Sequence, residues 1–398
     1  MRVLVAHPGM QHAYQLAWAL EEQGHLAAFW SGVPVVDSRH PKDGLWGLVG
    51  HRLRAVPIVA GKRRHAVIFP LLRKLLGARL FTRVANSWNH RIDRAYDAWV
   101  ARRVRKLKPD LVVCYENSAL HTFRAAHAVG AVCVLDAASI HYQAGRAWLA
   151  DTVKSNPAWI DVQKQQEIDL ADAILTCSDF AAETYRAAGV AAWNIFPVPL
   201  GTVLPDIPLP VKGTDKRCRF VFAGSLRRLK GVDVLLDVFT ELEREGVPAE
   251  LALIGDVAEQ DLADRAEKMP NVTHQPFMPQ SQLFAEVARH DCLMLPSRFD
   301  SFGMVVPEAM AVGVPAIVSD RVGAKCIVEQ HPEAGWIVPC DKDALKAQIL
   351  QLVTDRETLD TASRAARRAA QDYTWENYRR RVVRALEDIY ARYGKIDK

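Results

Sequence analysis

The amino-acid sequence predicts an α/β protein made of two doubly wound parallel sheets that face each other across a cleft. Short apolar runs alternate with longer amphipathic stretches along the whole chain, which is typical of βαβ units. Residues 201–216 interrupt the alternation with three prolines and few large apolar side chains. We therefore expect an N-terminal domain over residues 1–200, a linker over 201–216, a C-terminal domain over 217–375 and a last helix over 376–398 that returns to the N-terminal domain. A chain of 398 residues has room for two such domains.

The strands of the N-terminal half are predicted where apolar runs end at turn residues. The first strand is followed by a helix to Gln23, and Gly24 suits the end of that helix because glycine adopts a positive φ at little cost. Between the second and third strands we expect mainly helix and loop. The predicted strands are Arg2–His7, Leu26–Ser31, Asp110–Glu116, Val132–Ala137, Ala173–Ser178 and Asn194–Pro199.

The same alternation restarts after the linker. The predicted strands are Arg219–Ala223, Glu250–Gly255, Val272–Phe277, Cys292–Pro296 and Ala316–Ser319. The predicted helices between them are Val232–Glu245, Glu259–Lys268, Gln280–Arg289 and Pro307–Val312. Asp341 is the expected N-cap of the first of three closing helices. Because ligands of parallel sheets bind beyond the carboxyl ends of the strands, we expect the site in the cleft between the two sheets.

The net charge of +5 is unevenly distributed along the chain. Between Gly50 and Asp110 there are 16 lysines and arginines and only three acids, and this segment includes the apolar and basic run Ile68–Leu76. Such a mixture suits an anionic membrane surface or an anionic acceptor. The alternative is a solvated helix face that covers leucines of the core. Nucleic acid is not an expected partner, because no recognition motif accompanies the charge.

The cysteines and the hydropathy pattern predict a cytoplasmic protein. The seven cysteines are odd in number and have no C-x-x-C spacing, which favours buried thiols in a reducing compartment over disulfides or zinc. No apolar run has the length of a membrane-spanning helix, and the apolar stretch at Met1–His7 is too short for a signal peptide. If the basic segment binds lipid, we expect peripheral attachment to the inner face of the membrane.

Residues 295–315 carry the most informative motif. Asp300 and Glu308 are eight positions apart, a tight loop at Phe302-Gly303 separates them, and the second acid opens a helix in which Pro307 suits the first position. Carboxylates accept hydrogen bonds from hydroxyl groups, of which a sugar and a ribose have several.

Main-chain groups of the same loop are suited to a phosphorylated ligand. The N–H groups of Gly303, Met304 and Val305 precede or open the helix, so that they offer a partial positive charge to a diphosphate. Lys230, in the loop Gly224–Gly231 between a strand and a helix, is the candidate cation for the phosphates.

These motifs resemble those of the retaining glycosyltransferases of the GT-B fold, family 4. The resemblance is carried by Phe222-Ala223-Gly224, Lys230-Gly231, the spacing from Asp300 to Glu308, and Glu308-Ala309-Met310-Ala311. It covers about residues 218–340 strongly and the N-terminal half weakly. It implies two Rossmann-like domains, a nucleoside diphosphate-sugar as donor substrate, and no bound metal or other cofactor.

The resemblance also implies roles for individual residues. The position of Asp300 contacts the donor sugar, Glu308 holds the ribose hydroxyls, and Lys230 neutralises the departing diphosphate. Phe302 and the main chain of Gly303, Met304 and Val305 complete the donor loop. Phe277 and Met278 lie near the nucleobase. Gly9, in the loop after the first strand, faces the diphosphate from the other domain; the alternative is an ordinary turn glycine.

This sequence departs from the family pattern at two positions. Asp300 replaces the usual glutamate, so its carboxylate reaches one methylene less, which bears on sugar preference. Ser225 stands where the family often has arginine, and Arg227 or Arg228 is the candidate for the missing charge.

The N-terminal domain is expected to bind the acceptor. Family members often place an acid or a histidine close to the reacting sugar carbon. Asp136, at the end of the predicted strand Val132–Ala137, and His141 after it lie at that place. For His141 a purely structural role is the alternative. Glu116 and Asn117 are weaker candidates, and the loop that contains Gly9 is flanked by His7 and His12.

The sequence therefore predicts a retaining glycosyltransferase that moves a sugar from a nucleoside diphosphate to an acceptor hydroxyl in glycan, polysaccharide or glycolipid biosynthesis. The acceptor would be a glycan, a lipid-linked saccharide or a small molecule. The alternatives are a nucleotide-sugar epimerase, a phosphorylase of similar fold, and a non-catalytic nucleotide-sugar-binding protein. A dinucleotide dehydrogenase is disfavoured because no G-x-G-x-x-G follows a strand.

Overall fold

The N-terminal half of the computed structural model contains one seven-stranded parallel sheet. The structure describes residues 1–39, 54–77, 82–149, 157–207 and 217–394. The strand order is β5-β2-β1-β6-β7-β8-β9. These strands are β1 (Val3–His7), β2 (Leu26–Ser31), β5 (Arg63–His65), β6 (Leu111–Tyr115), β7 (Val132–Ala137), β8 (Ala173–Thr176) and β9 (Ile195–Pro197), while β3 (Val35–Asp37) pairs separately with β4 (Arg54–Val56).

Helices cover both faces of this sheet. They are α1 (Ala13–Glu22), α2 (Ile68–Gly77), α3 (Thr82–Leu107), α4 (Leu120–His127), α5 (Tyr142–Leu149), α6 (Ala158–Leu170) and α7 (Asp179–Ala187). Two apolar clusters, one on each face, bury the sheet almost completely. This agrees with the nearly continuous apolar runs of strands that are covered on both sides.

The C-terminal half contains a six-stranded parallel sheet in the order β12-β11-β10-β13-β14-β15. Its strands are β10 (Cys218–Ala223), β11 (Ala249–Ile254), β12 (Val272–Gln275), β13 (Cys292–Leu295), β14 (Ala316–Ser319) and β15 (Gly335–Val338). Its helices are α8 (Val232–Arg244), α9 (Gln260–Ala266), α10 (Gln280–Val287), α11 (Val305–Ala311), α12 (Lys325–Gln330), α13 (Lys342–Thr354) and α14 (Arg356–Ala369), followed by α15 (Trp375–Tyr393).

Both sheets reverse their strand order beside their first strand. The reversal falls between β1 and β6 in one domain and between β10 and β13 in the other. Crevices that open at such a reversal are where doubly wound sheets bind ligands. The loops after these four strands are therefore the ones to inspect for a site.

The predicted doubly wound α/β class is confirmed, but three local predictions were wrong. Strand β5 lies inside the basic segment that was expected to be helix and loop, and its sequence Arg63-Arg64-His65 lacks the apolar signal of a strand because it forms a sheet edge. Strand β15 was not predicted. Helix α11 begins at Val305, so Pro307 is its third residue; a missing N–H is still harmless there, since the first turn has no intrahelical acceptors.

The two halves are joined at a crossing of two chain segments. Thr202 forms a parallel bridge with Thr374, and the Trp375 N–H donates to the Thr202 carbonyl at 3.1 Å. Helix α15 then packs against α1, with Tyr378, Val382 and Leu386 in the core of the N-terminal domain. Residues 208–216 of the predicted linker lie outside the described residues.

A second contact joins the domains beside the cleft. The start of α7 is buried against the C-terminal core, where Cys177 and Phe180 belong to the same apolar cluster as β10 and β13. The Ser178 hydroxyl donates to the Ser301 carbonyl at 2.7 Å. A Cβ on Gly323 would lie 2.0 Å from that carbonyl oxygen, so this contact requires glycine. The two domains are therefore in direct contact beside the cleft.

The cysteines agree with the expectation of buried thiols. All seven cysteines are unbridged; six are buried, and Cys340 is half-buried. Within the described ranges, no helix has both the length and the apolar character needed to cross a bilayer.

Candidate active site

A cleft of about 440 Å³ opens between the carboxyl ends of the two sheets. The N-terminal domain lines it with Gln11, His12 and Arg54, and the C-terminal domain with Gln280, Asp300 and Gly303. The loops that follow β1 and β13 thus face the same space, as the reversals of strand order require.

Lys230 and Asp300 form an ion pair in the C-terminal wall. Lys230 Nζ lies 2.5 Å from Asp300 Oδ2, and both side chains are about one-fifth to one-quarter exposed. They meet because Lys230 ends the loop after β10, Asp300 lies in the loop after β13, and these two strands are neighbours. The sequence predicted both residues for the donor but did not predict that they pair with each other.

Gly231 allows this loop to approach its neighbour closely. It has a φ of +75°, and a Cβ at this position would lie 2.1 Å from the Pro296 carbonyl oxygen. Any other residue would meet both backbone strain and a steric clash. The Lys-Gly motif therefore has a physical reason: glycine brings the lysine-bearing loop against the end of β13.

The carboxylate of Asp300 is fixed by its own loop. Its Oδ1 accepts a hydrogen bond from the Phe302 N–H at 3.3 Å, while its main-chain N–H and carbonyl bond to Arg321 and Gly323. Phe302 is buried, and Gly303 has a φ of +87° with no room for a Cβ. Asp300 is therefore held in place on the cleft wall without a ligand.

Glu308 lies in the first turn of α11. Its Oε1 accepts a hydrogen bond at 2.6 Å from the amide of Gln280, the first residue of α10. Burial raises the pKa of Glu308 to about 7. Gly303 and Met304 line the cleft just before this turn, and Val305 begins the helix. Gln280 was not among the predicted site residues, since nothing in its local sequence distinguishes it.

Ser225, at the position of the missing arginine, and its two proposed substitutes Arg227 and Arg228 lie in different surroundings. Arg228 forms ion pairs with Glu259 and Asp261, which raise its pKa, so its charge is already balanced by two carboxylates. Its role in donor binding stays a prediction. The Nε of Arg227 is buried and has no hydrogen-bond partner among the described residues. Ser225 is half-buried in the same loop.

Phe277 and Met278 follow strand β12 near the loops of the site. Phe277 is 69% exposed, and Met278 packs partly against the C-terminal core. An exposed aromatic ring on this edge of the sheet is compatible with stacking against a nucleobase.

On the N-terminal wall, His12 pairs with Asp136. His12 Nε2 lies 2.9 Å from Asp136 Oδ2, and both side chains are more than nine-tenths buried. The rings of Tyr115 and Tyr378 pack edge-on against the imidazole at 5.4 and 5.9 Å. The sequence did not predict this pair, because β6 lies between β7, which carries Asp136, and β1, which precedes the loop that carries His12.

The structure does not bring His141 to the cleft. Its side chain is 1% exposed, its ring packs edge-on against Tyr185, and burial lowers its pKa to about 4. The predicted acceptor-side role of His141 is therefore corrected to a structural one: its main-chain N–H donates to Thr184 and helps to fix the loop before α5.

The weaker candidates near β6 are also engaged within the domain. Glu116 accepts a hydrogen bond from the Tyr185 hydroxyl at 3.1 Å. Asn117 has a φ of +70° and donates its main-chain N–H to Glu167 at 2.7 Å. Both contacts lie within the N-terminal domain and stabilise the turn after β6.

Gly9 turns the chain away from β1. Its N–H donates to His7 Nδ1 at 2.7 Å, and burial lowers the pKa of His7 to about 4, so that the ring is neutral and accepts this bond. The turn delivers Gln11 and His12 to the cleft. Gly9 itself stays a predicted diphosphate contact.

Comparisons with known proteins agree with this architecture. Residues 210–369 match the family model "Glycosyl transferases group 1". A D-inositol 3-phosphate glycosyltransferase from Jonesia denitrificans is 34% identical over 170 residues, which are 39% of this chain and 40% of that protein. The chain thus spans about two fifths of the length of that relative. An MMP alpha-(1->4)-mannosyltransferase from Mycolicibacterium hassiacum is 24% identical over 64% of this chain and 62% of its own.

Solved structures extend the likeness to the whole chain. HepE from Anabaena, solved with UDP and glucose, superposes with a TM-score of 0.64 over 97% of this chain and 99% of its own, at 15% identity. The lipopolysaccharide outer core galactosyltransferase WaaB gives a TM-score of 0.62 over 98% and 99%, at 16% identity. The chain therefore has the GT-B fold, and its residues 210–369 are similar to the group 1 glycosyl transferases.

Proposed function

We propose that this protein transfers a sugar from a nucleoside diphosphate-sugar to an acceptor hydroxyl, with retention of the anomeric configuration. The observation that carries the proposal is that two ion-paired side chains line opposite walls of one cleft. Asp300, which pairs with Lys230, lines the C-terminal wall, and His12, which pairs with Asp136, lines the facing wall. A cation for phosphates and acceptors for hydroxyls are the groups that such a donor requires.

Lys230 is suited to stabilise the leaving diphosphate. An ammonium group has three donors, and Asp300 takes one of them, so phosphate oxygens can take the others. In a cleft that excludes water, a preorganised cation lowers the free energy of the charge that develops as the bond to the sugar breaks. In this proposal no bound metal is needed, since Lys230 and main-chain dipoles supply the positive charge.

The remaining donor contacts follow from the order of the side chains along the wall. Asp300 accepts hydrogen bonds from hydroxyls of the donor sugar, and Glu308 accepts them from the ribose beside Gln280. Phe277 offers its exposed ring to the base. HepE, a structural neighbour, was solved with UDP, so uridine diphosphate-sugars are the first donors to test.

The facing wall receives the acceptor. With the acceptor hydroxyl on the face from which the diphosphate departs, a phosphate oxygen takes the hydroxyl proton as the new bond forms. Asp136 orients His12, whose ring lines the cleft and can hydrogen bond to the incoming hydroxyl. The acceptor is a glycan, a lipid-linked saccharide or a small molecule. The reaction takes place in the cytoplasm, and the proposal includes attachment of the protein to an anionic membrane surface.

A panel of nucleotide sugars tests the proposal. A specific donor should raise the melting temperature of the protein, since a ligand that binds only the folded state stabilises it by mass action. That donor should then be consumed, with release of the nucleoside diphosphate, and the new linkage should keep the donor's anomeric configuration by NMR. Epimerisation without acceptor would favour the epimerase. Binding without transfer or hydrolysis would favour a non-catalytic protein.

A further inference from the structure

The outward face of α2 is an exposed apolar stripe. Ile68, Leu71, Leu72 and Leu75 follow the spacing i, i+3, i+4, i+7 and are between 39% and 59% exposed. An amphipathic helix of a globular protein normally turns such a stripe toward the core. The interpretation of these leucines as core residues, left open by the sequence, is therefore wrong.

The opposite face of α2 fixes this orientation. The Phe69 ring packs edge-on against Tyr96 of α3 at 5.6 Å, and Arg73 forms an ion pair with Asp93 of the same helix. A Cβ on Gly32 would lie 3.1 Å from Pro70 Cγ, so the helix also lies close to the turn after β2. The face of α2 that contacts the domain thus carries both apolar and charged side chains, and the more apolar face is exposed.

The charge around the stripe is positive. Lys74 on α2 and Arg64 on β5 are exposed. Of the three acids between Gly50 and Asp110, Asp93 and Asp97 are buried. Exposed aliphatic side chains with cations at their border match the acyl and phosphate layers of an anionic bilayer. A second copy of the chain would instead bring like charges together at a self-complementary contact.

Helix α2 begins at the same edge of the sheet as the cleft. Strand β5 runs parallel to β2, and the Ala66 N–H after it donates to the Ser31 carbonyl at the end of β2. All strands of this sheet are parallel, so the end of β5 lies on the side where His12 and Asp136 meet. Arg54 of the basic segment also lines the cleft.

We infer that α2 docks the protein on an anionic lipid bilayer through Ile68, Leu71, Leu72 and Leu75, and that the acceptor is therefore carried on a lipid. The inference about the acceptor rests on the proposed function. Docking at this edge places the acceptor wall of the cleft next to the bilayer surface, so that a lipid-borne hydroxyl reaches it without leaving the membrane.

Cosedimentation of the full-length protein with vesicles tests the inference. The probes are vesicles of phosphatidylcholine alone and of equal parts phosphatidylcholine and phosphatidylglycerol. We expect attachment to the anionic vesicles that weakens strongly at about 0.5 M salt, where the Debye length falls to a few ångströms. The double variant Leu71→Gln, Leu75→Gln should lose at least about tenfold in vesicle affinity, because both the apolar and the charged contacts are needed for stable attachment.

Matched variants control for general effects of the substitutions. Leu204→Gln removes a leucine that is 46% exposed far from α2 in sequence and should bind vesicles as the wild type does. The double variant Lys74→Gln, Arg64→Gln should weaken attachment to the vesicles at low salt. The variant Arg244→Gln, on α8, should not. Equal loss in the control variants, or no attachment of the wild type at low salt, would overturn the inference.

Two further measurements separate this inference from its rivals. Nucleotide-sugar binding by calorimetry should be unchanged in the Leu71, Leu75 variant; if vesicle attachment fails while donor turnover persists, only the lipid inference falls. Sedimentation equilibrium without lipid should give a monomer. A dimer that dissociates in the same variant would show that the stripe binds a second copy instead.

Discussion

Lys230 Nζ lies 2.5 Å from Asp300 Oδ2, although 70 residues separate the two along the chain. The pair holds a cation beside the cleft with its charge balanced, and in the proposed function a phosphorylated ligand shares this cation. Since Asp300 would repel a diphosphate if Lys230 were absent, the two residues should be energetically coupled in donor binding.

Lys230→Ala should weaken nucleoside diphosphate binding and reduce turnover by about 10²–10³-fold, the usual cost of losing one preorganised charge-stabilising donor. Calorimetry with the free nucleotide and steady-state rates measure the two effects. Lys268→Ala, at an exposed lysine of the same domain, is the control. Unchanged affinity in Lys230→Ala would exclude the assignment.

Adding Asp300→Asn to Lys230→Ala should restore part of the nucleotide affinity but none of the turnover. The neutral amide no longer repels the phosphates, yet neither variant supplies a cation for the leaving group. A double-mutant cycle on the dissociation constants measures the coupling. Strictly additive effects would show that the ion pair has no part in donor binding.

Glu308→Ala should abolish most donor turnover in a folded protein, because the ribose hydroxyls lose their acceptor. Circular dichroism and the melting temperature check folding, and turnover is measured with the donor found in the nucleotide-sugar panel. Wild-type rates in this variant would refute the role of Glu308.

The buried carboxyl of Glu308 should also make stability depend on pH. Its pKa rises from 4.5 to about 7 on folding, so its contribution to stability is complete below about pH 4.5 and is lost as the pH rises through 7. Glu308→Gln removes this titration. The free energy of unfolding of this variant, relative to that of the wild type, should increase on the order of 1 kcal/mol between pH 5 and pH 8, after allowance for partial exposure. Urea unfolding at the two pH values measures the change, and an equal difference at both would contradict it.

Asp136→Asn should lower acceptor transfer while leaving nucleotide affinity and slow donor hydrolysis intact. The substitution removes the carboxylate that orients His12, and neither residue belongs to the donor wall. Asp372→Asn, which alters an exposed histidine–aspartate pair with His331, is the matched control. A parallel loss of nucleotide binding would place the pair on the donor side instead.

Gly231→Ala should destabilise the C-terminal domain by more than about 2 kcal/mol, because it adds both a positive-φ penalty and a clash with Pro296. Gly246→Ala is the control: its φ is +69°, but no atom lies within 4 Å of the added Cβ. Chemical unfolding of both variants isolates the clash. Equal losses would show that backbone strain alone explains the glycine.

Local sequence patterns were sufficient for most elements and for the loop and helix that carry Asp300 and Glu308. The strands and helices around the cleft follow from apolar periodicity, and Gly24 and Asp341 end and begin helices as their chemistry predicts. The motif from Asp300 to Glu308 could be recognised because the loop and the helix after it are contiguous in sequence. Strand β5 was missed because a strand at the sheet edge can be polar.

The sequence by itself determined the α/β alternation, the division into two halves and the residue types of the C-terminal cleft wall, since each depends on neighbours a few positions apart. Only the tertiary structure decided that Lys230 pairs with Asp300, that His12 rather than His141 accompanies Asp136 at the cleft, and that the leucines of α2 face outward. These relationships depend on strand order and on which face of a helix is anchored. Both are set by contacts between residues far apart in the chain, which no local pattern encodes.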